Sequence, residues 1–171
     1  MRDKLIVWIA LGFGAGNLPK APGTYGSILG LIWFWLLSLI SNLYLAALLI
    51  GVSVLFGVWI CGEAERILKC HDPGCIVIDE IVAVPIAGLG WVAWELSRDD
   101  SLGFVMEADL TTFFWLGLVF VLFRFSDIAK PWPVGLSQSL PRGWGVMTDD
   151  LLAGIYVAVL MFLGRLGISS F

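Results

Sequence analysis

The sequence predicts an all-α membrane protein: about five transmembrane or membrane-embedded helices after a short N-terminal interfacial or re-entrant segment. Three observations carry that prediction. Hydrophobic residues make up 59% of the 171-residue chain and its mean hydropathy is +0.92. Charged residues make up 14%, against about 25% in soluble domains. Many of the 9 Trp and 11 Phe stand near the ends of apolar runs, where interfacial aromatics belong. The length fits a single domain spanning residues 1–171. A net charge of -4 carries little weight, because a membrane protein shows mainly its loops to water. No basic patch is extensive enough to bind nucleic acid, so the bilayer is the expected partner. The oligomeric state stays open.

The elements follow in order. Residues 5–13 are apolar but too short to span. Arg2 and Lys4 precede them, yet Gly12, Gly14 and Gly16 interrupt the run without a clear cleavage site, so it is no convincing signal peptide. Residues 14–25 are a loop rich in Gly and Pro. Runs 26–40 and 43–61, separated by Ser41-Asn42, form a tight helical hairpin. Residues 62–75 are polar and end in the turn signal Asp72-Pro73-Gly74. Residues 76–94 are apolar, interrupted by Asp79-Glu80 and Pro85. An acidic loop covers 95–110, with Glu95, Asp99, Asp100, Glu107 and Asp109. Residues 111–126 are apolar and aromatic, 127–148 are a long loop with three prolines, and 149–166 are the last apolar run.

Several runs fall short of the roughly 20 residues that a straight span needs, so a soluble domain of buried helices is the competing architecture. Basic residues decide between them, because cytoplasmic segments carry an excess of Lys and Arg. With five crossings and a cytoplasmic N-terminus, inner segments hold Arg2, Lys4, Lys20, Arg66, Lys69, Arg124, Lys130 and Arg142, while outer segments hold Arg98 and Arg165. The same topology places Asp79, Glu80, Asp127, Asp149 and Asp150 at that inner face, although it was fixed by basic residues alone. A carboxylate at the edge of an apolar run is expensive unless paired, hydrated or bound to a metal.

Three acidic segments therefore stand out as candidate sites. Asp79 and Glu80 point about 100° apart on a helix, so both reach one site only near its centre; the bland alternative pairs one with a base and hydrates the other. Pro85 removes the usual hydrogen bond to the Ile81 carbonyl. In the second segment Arg124, Asp127 and Lys130 follow at spacings of three, before Pro131 ends the helix. This is either a local ion pair with a basic helix end, or an acid for a metal beside cations for phosphate oxygens. In the third, Thr148 or Asp149 suits the N-cap of the last helix, and the second acid of Asp149-Asp150 is left for a metal. The N-terminal loop, with Lys20 and Pro22-Gly23-Thr24, leaves backbone N–H groups open at a helix start, which suits phosphate. Its glycines match no phosphate-loop or dinucleotide fingerprint.

Absences narrow the chemistry. His71 is the single histidine, no cysteine has an arginine six residues on, and no Asp-x-Asp or G-x-S-x-G motif occurs. Cys70-His71 with Cys75 matches no strong zinc pattern and lacks a fourth ligand. An ion-coupled transporter is the alternative function, since intramembrane acids also mark ion routes. A transport site belongs near the bilayer midplane, whereas these acids gather toward one edge. A non-enzymatic scaffold gives no reason for so many acids on one side.

The motifs GFGAGNLPKAPGTYGS (12–27), IVIDE (76–80), FRFSDIAKPWPV (123–134) and GWGVMTDDLLAG (143–154) together resemble the phosphatidylglycerophosphatase A family of bacterial lipid phosphatases. The resemblance implies a multi-pass enzyme of the bacterial inner membrane with its active site on the cytoplasmic face. Such an enzyme hydrolyses the phosphate monoester of phosphatidylglycerophosphate, giving phosphatidylglycerol, in phospholipid synthesis and with Mg²⁺. It further implies Asp79, Glu80, Asp127, Asp149 and Asp150 as metal-binding and catalytic acids, and Lys130 as the lysine of the KPWP motif. Lys20, Thr24, Arg124, Lys130 and Arg142 are the candidate substrate contacts. Two positions depart from the pattern. Arg142 replaces the first glycine of a pair, which adds a possible phosphate contact, and Ser137 stands where many members carry an aspartate.

Overall fold

A computed structural model describes residues 1–40, 42–97, 106–130, 132 and 140–169. Among them the regular structure is all helical: α1 (Arg2–Ala10), a 3₁₀ segment (Gly12–Asn17), α2 (Pro22–Ser38), α3 (Leu43–Leu68), α4 (Ile78–Leu96), α5 (Leu110–Ala129) and α6 (Gly143–Ser169). Three helices are long and apolar enough to cross a membrane: Leu43–Leu68, Leu110–Ala129 and Gly143–Gly167. They present large apolar side chains outward, among them Leu48, Leu55, Phe113, Val121, Phe125, Leu160 and Leu163, as lipid-facing helices do. Helix α2, with 17 residues, and α4, which carries two acids in its first turn, pack among them.

The helices run further than the apolar runs suggest. Helix α3 continues through the polar Glu63–Arg66 stretch to Leu68, and α5 includes Asp127. Helix α6 starts at Gly143, so Thr148 and Asp149 lie inside it and neither is the expected N-cap. The 127–148 loop is correspondingly shorter; Ser137, Pro131 and Pro133 lie outside the described residues, as do Arg98, Asp99 and Asp100. Asparagine and aspartate open two of the helices: the side chain of Asn42 accepts from the Leu45 amide at 3.1 Å, and that of Asp109 from the Thr112 amide at 2.8 Å. One turn-forming acid of the expected acidic loop is thus a cap. Pro85 sits inside α4 without ending it.

Helix α4 is the axis of the bundle and packs against α2, α3, α5 and α6, most extensively against α6. Small residues permit the approach. A side-chain carbon at Gly90 would lie 1.7 Å from the Ala158 carbonyl oxygen of α6, and one at Gly30 of α2 would lie 2.7 Å from Val84. The core at one end holds Phe34, Trp91, Trp115, Val119, Phe123 and Val157; the other holds Ile6, Ile60, Ile78, Val82 and Met147. Polar contacts mark the two ends. At one, Glu95 of α4 meets Arg165 of α6, and the Met106 amide donates to Ser38 at 3.4 Å. At the other meet the starts of α2, α4 and α6 and the ends of α3 and α5.

Candidate active site

That second end gathers the acidic segments. Helix α4 is preceded by its N-cap residue Val77, whose amide donates to the Ala10 carbonyl at 3.0 Å and so ties the helix start to the end of α1. Asp79 and Glu80 then fall in the first turn, where the positive end of the helix dipole favours carboxylates. Asp149 and Asp150 come from the early turns of α6. The two doublets share a local geometry. In each, the amide of the second acid donates to the first acid's Oδ1, at 3.1 Å in both.

Asp79, Glu80 and Asp150 each place a carboxylate oxygen within 4.8 Å of the others. Two adjacent acids on one helix therefore do reach a single point, and α6 supplies the third. All three are almost wholly enclosed, with relative exposures of 7%, 8% and 4%. Asp127 adjoins Asp150 and is gripped by Arg124, whose Nη1 lies 2.6 Å from Asp127 Oδ2 and 3.6 Å from Glu80 Oε1. Lys130, the residue that caps α5, donates to Asp149 Oδ2 at 2.6 Å. Partial burial works against the charge on Lys130; the hydrogen bond with Asp149 and the field of Asp149, Asp150 and Asp127 outweigh it and raise its pKa above the ordinary lysine value.

Five carboxylates thus face two cations, Arg124 and Lys130. A surplus of buried negative charge is unfavourable unless protons or a further cation neutralise it. Glu80 Oε2 is enclosed and has no hydrogen-bond partner among the described residues, the unmet requirement that a ligand would satisfy. An all-oxygen donor set of this kind fits a hard divalent cation such as Mg²⁺. The residues that fit it are Asp79, Glu80 and Asp150, while Asp127 and Asp149 are engaged by Arg124 and Lys130.

Two glycines that the sequence reading did not single out as site residues shape the cluster. A side-chain carbon on Gly23, in the first turn of α2, would fall 2.2 Å from Glu80 Oε1 and 2.8 Å from Arg124 Nη1. One on Gly26 would fall 3.1 Å from Glu80 Oε2. With Gly30 they form one face of α2, and the 23-26-30 spacing was the available signal. The open N-terminus of α2, which has no side-chain cap, therefore abuts the Glu80 carboxylate. Thr24 lies beside Gly23 in this turn, and Lys20 is exposed just before it. Arg142 stands apart from the carboxylates. It lines a groove between α3 and the start of α6 in which none of the five acids takes part.

The fold and the site define a class: a membrane-associated enzyme that sets enclosed carboxylates against paired cations at one end of an apolar helical bundle. The sequence model of phosphatidylglycerophosphatase A matches residues 8–165, and the chain belongs to that family. Among its relatives, phosphatidylglycerophosphatase A of Haemophilus influenzae is 32% identical over 157 residues, covering 90% of this chain and 85% of the relative. Phosphatidylglycerophosphatase A of Escherichia coli is 33% identical over 167 residues, covering 95% and 87%. A protein of Bacteroides thetaiotaomicron named as a putative phosphatidylinositol-3-phosphatase is 33% identical over 168 residues, covering 94% of each. No solved structure matches the chain.

Proposed function

We propose that the chain is a Mg²⁺-dependent phosphatidylglycerophosphatase: it removes the terminal phosphate monoester of phosphatidylglycerophosphate and releases phosphatidylglycerol, as a step in phospholipid synthesis. The convergence of Asp79, Glu80 and Asp150 beside the Arg124–Asp127 and Lys130–Asp149 pairs carries this reading. The three relatives' names agree on one chemistry, a phosphate monoester on a lipid head group, and two of them name phosphatidylglycerophosphate.

In this reaction a water oxygen bonds to phosphorus while the bond from phosphorus to the glycerol oxygen breaks. The products are inorganic phosphate and the lipid alcohol, and the leaving oxygen takes up a proton. Asp79, Glu80 and Asp150 would hold the metal, which when bound supplies Lewis-acid polarisation of the phosphoryl group. Arg124 and Lys130 are placed to neutralise charge building on phosphoryl oxygens. Asp127 and Asp149, outside the three-carboxylate group, are the candidates to take the proton from attacking water. The guanidinium and ammonium that hold them fix their orientation before substrate arrives.

Placement favours this reading over an ion-coupled carrier. The acids occupy the first turn of α4, the last turn of α5 and the early part of α6, at one end of the bundle. A carrier site is expected near mid-length. The excess of basic residues on the segments at that end supports a cytoplasmic-face site in a multi-pass protein of the bacterial inner membrane.

The test is phosphate release by the purified protein from phosphatidylglycerophosphate, with Mg²⁺ and with a chelator in its place. Phosphatidylinositol-3-phosphate and phosphatidic acid serve as competing substrates. Mg²⁺-dependent release, fastest from phosphatidylglycerophosphate, is the expected result. No release from any of the three lipids would overturn the assignment, and faster release from the inositol lipid would overturn the substrate.

A further inference from the structure

The groove that Arg142 enters is a feature distinct from the carboxylate site. It encloses about 830 Å³ between α3 and the start of α6. Its floor is the close meeting of Gly62 and Gly143: a side-chain carbon on Gly143 would lie 2.4 Å from the Gly62 nitrogen. Its wall is one stripe of α3, and that stripe changes character along its length. Leu55, Val58 and Trp59 line the lower part; Glu63, Glu65 and Arg66, followed by the C-cap Lys69 and by His71 just past the helix, line the upper. Residues 55 to 69 span about 21 Å of helix. Trp144 also lines the groove and, like Trp59, is half exposed.

The charges along the stripe do not cancel. Arg66 is paired with Glu63 at 2.8 Å, and Glu65 is engaged by His71 at 2.8 Å and the Asp72 amide at 2.9 Å. Glu63 also lies in the field of Arg142. Lys69 and Arg142 close no ion pair and donate no side-chain hydrogen bond among the described residues. Both have left-handed backbone, with φ of 53° and 57°, a conformation that glycine adopts without the steric cost a side chain brings. For Lys69 this is the ordinary left-handed end of α3; two cations without a partner among the described residues thus line one groove.

We propose that this groove binds an anionic phospholipid, its phosphate between Lys69 and Arg142 and its acyl chain along Leu55, Val58 and Trp59. The apolar stripe below the cations selects a lipid over a free phosphate, and the half-exposed Trp59 and Trp144 in the groove suit the interfacial region of a bilayer. The proposal does not rest on the reaction assigned to the carboxylates.

Native mass spectrometry of the detergent-solubilised full chain tests it, with a chelator present to suppress metal-dependent binding at the acid cluster. The expected result is one bound phosphatidylglycerol per chain and weaker retention of phosphatidylcholine. Lys69→Gln with Arg142→Gln lowers phosphatidylglycerol affinity about thirtyfold, from two basic contacts, and leaves phosphatidylcholine unchanged. Asp127→Asn with Asp149→Asn leaves the bound lipid in place. Equal retention of the two lipids by the unaltered chain overturns the proposal without recourse to any variant. So does affinity unchanged within about twofold in a folded Lys69→Gln, Arg142→Gln protein, or displacement by glycerol phosphate as efficient as by lipid.

Discussion

Gly23→Ala is the most discriminating substitution for the carboxylate site. The new methyl carbon would sit 2.2 Å from Glu80 Oε1, whereas ordinary contacts begin near 3.4 Å. The shortfall is about 1.2 Å. Gly23 is on a packed helix, so the Glu80 carboxylate and the Arg124 guanidinium behind it move instead. A misplacement of about 1 Å in a catalytic constellation costs on the order of 10²-fold in rate, or about 2.7 kcal/mol of transition-state stabilisation. The assay is phosphate release from phosphatidylglycerophosphate at saturating Mg²⁺, with circular dichroism and thermal unfolding to confirm folded protein. Gly51→Ala on the exposed face of α3, where a side-chain carbon meets nothing within 4 Å, is the matched control. Folded Gly23→Ala protein with activity within about threefold of the parent would refute the claim that Glu80 and Arg124 must hold these positions.

Other expectations are simpler. Asp127→Asn and Asp149→Asn each keep shape and one hydrogen bond but remove the charge, and turnover falls by about 10² to 10⁴-fold while the helical content is retained; near-normal turnover in both would remove these acids from the mechanism. Lys130→Gln, assayed the same way, lowers kcat by about 10² to 10³-fold with a smaller change in KM. At the opposite end, Arg165→Leu strips Glu95 of its ion pair and removes a guanidinium 4.0 Å from the Trp94 ring centre and 4.1 Å from that of Trp115. Unfolding then becomes easier by about 2 kcal/mol, below the range for fully enclosed pairs because a third of Glu95 remains accessible. The melting temperature reports this loss, and specific activity of the folded fraction stays within about twofold because the acid cluster lies at the other end.

The helical class and the existence of one acidic site were legible in the sequence. Apolar runs and basic-residue asymmetry act over whole segments, so a few misplaced boundaries did not alter them. Arg124 and Asp127 were readable as a pair because three residues on a helix set two side chains on one face. Helix limits were less readable. The charged Glu63–Arg66 turn of α3 continues a helix because Ala64 and Ile67 still pack on the apolar core while Glu63 and Arg66 face outward, and hydropathy does not report that. Gly143 starts α6 because only glycine fits against Val58 and Gly62 of α3, a contact between elements far apart in sequence. The partition of the five acids was likewise hidden. Which carboxylates converge and which are held by cations depends on how α4, α5 and α6 dock, and local spacing is silent on docking.

The doublet in α4 also bears on how the chain enters the bilayer. With Asp79, Glu80 and Glu95 in its 19 residues, this central helix is not among the three that are long and apolar enough to cross a membrane on their own. Arg124 and Asp150, the neighbours that complete its polar end, are synthesised tens of residues later. Placing α4 in a bilayer would accordingly be a collective step: a helix whose acids hydrocarbon alone rejects is accommodated once α5 and α6 are there to pack against it.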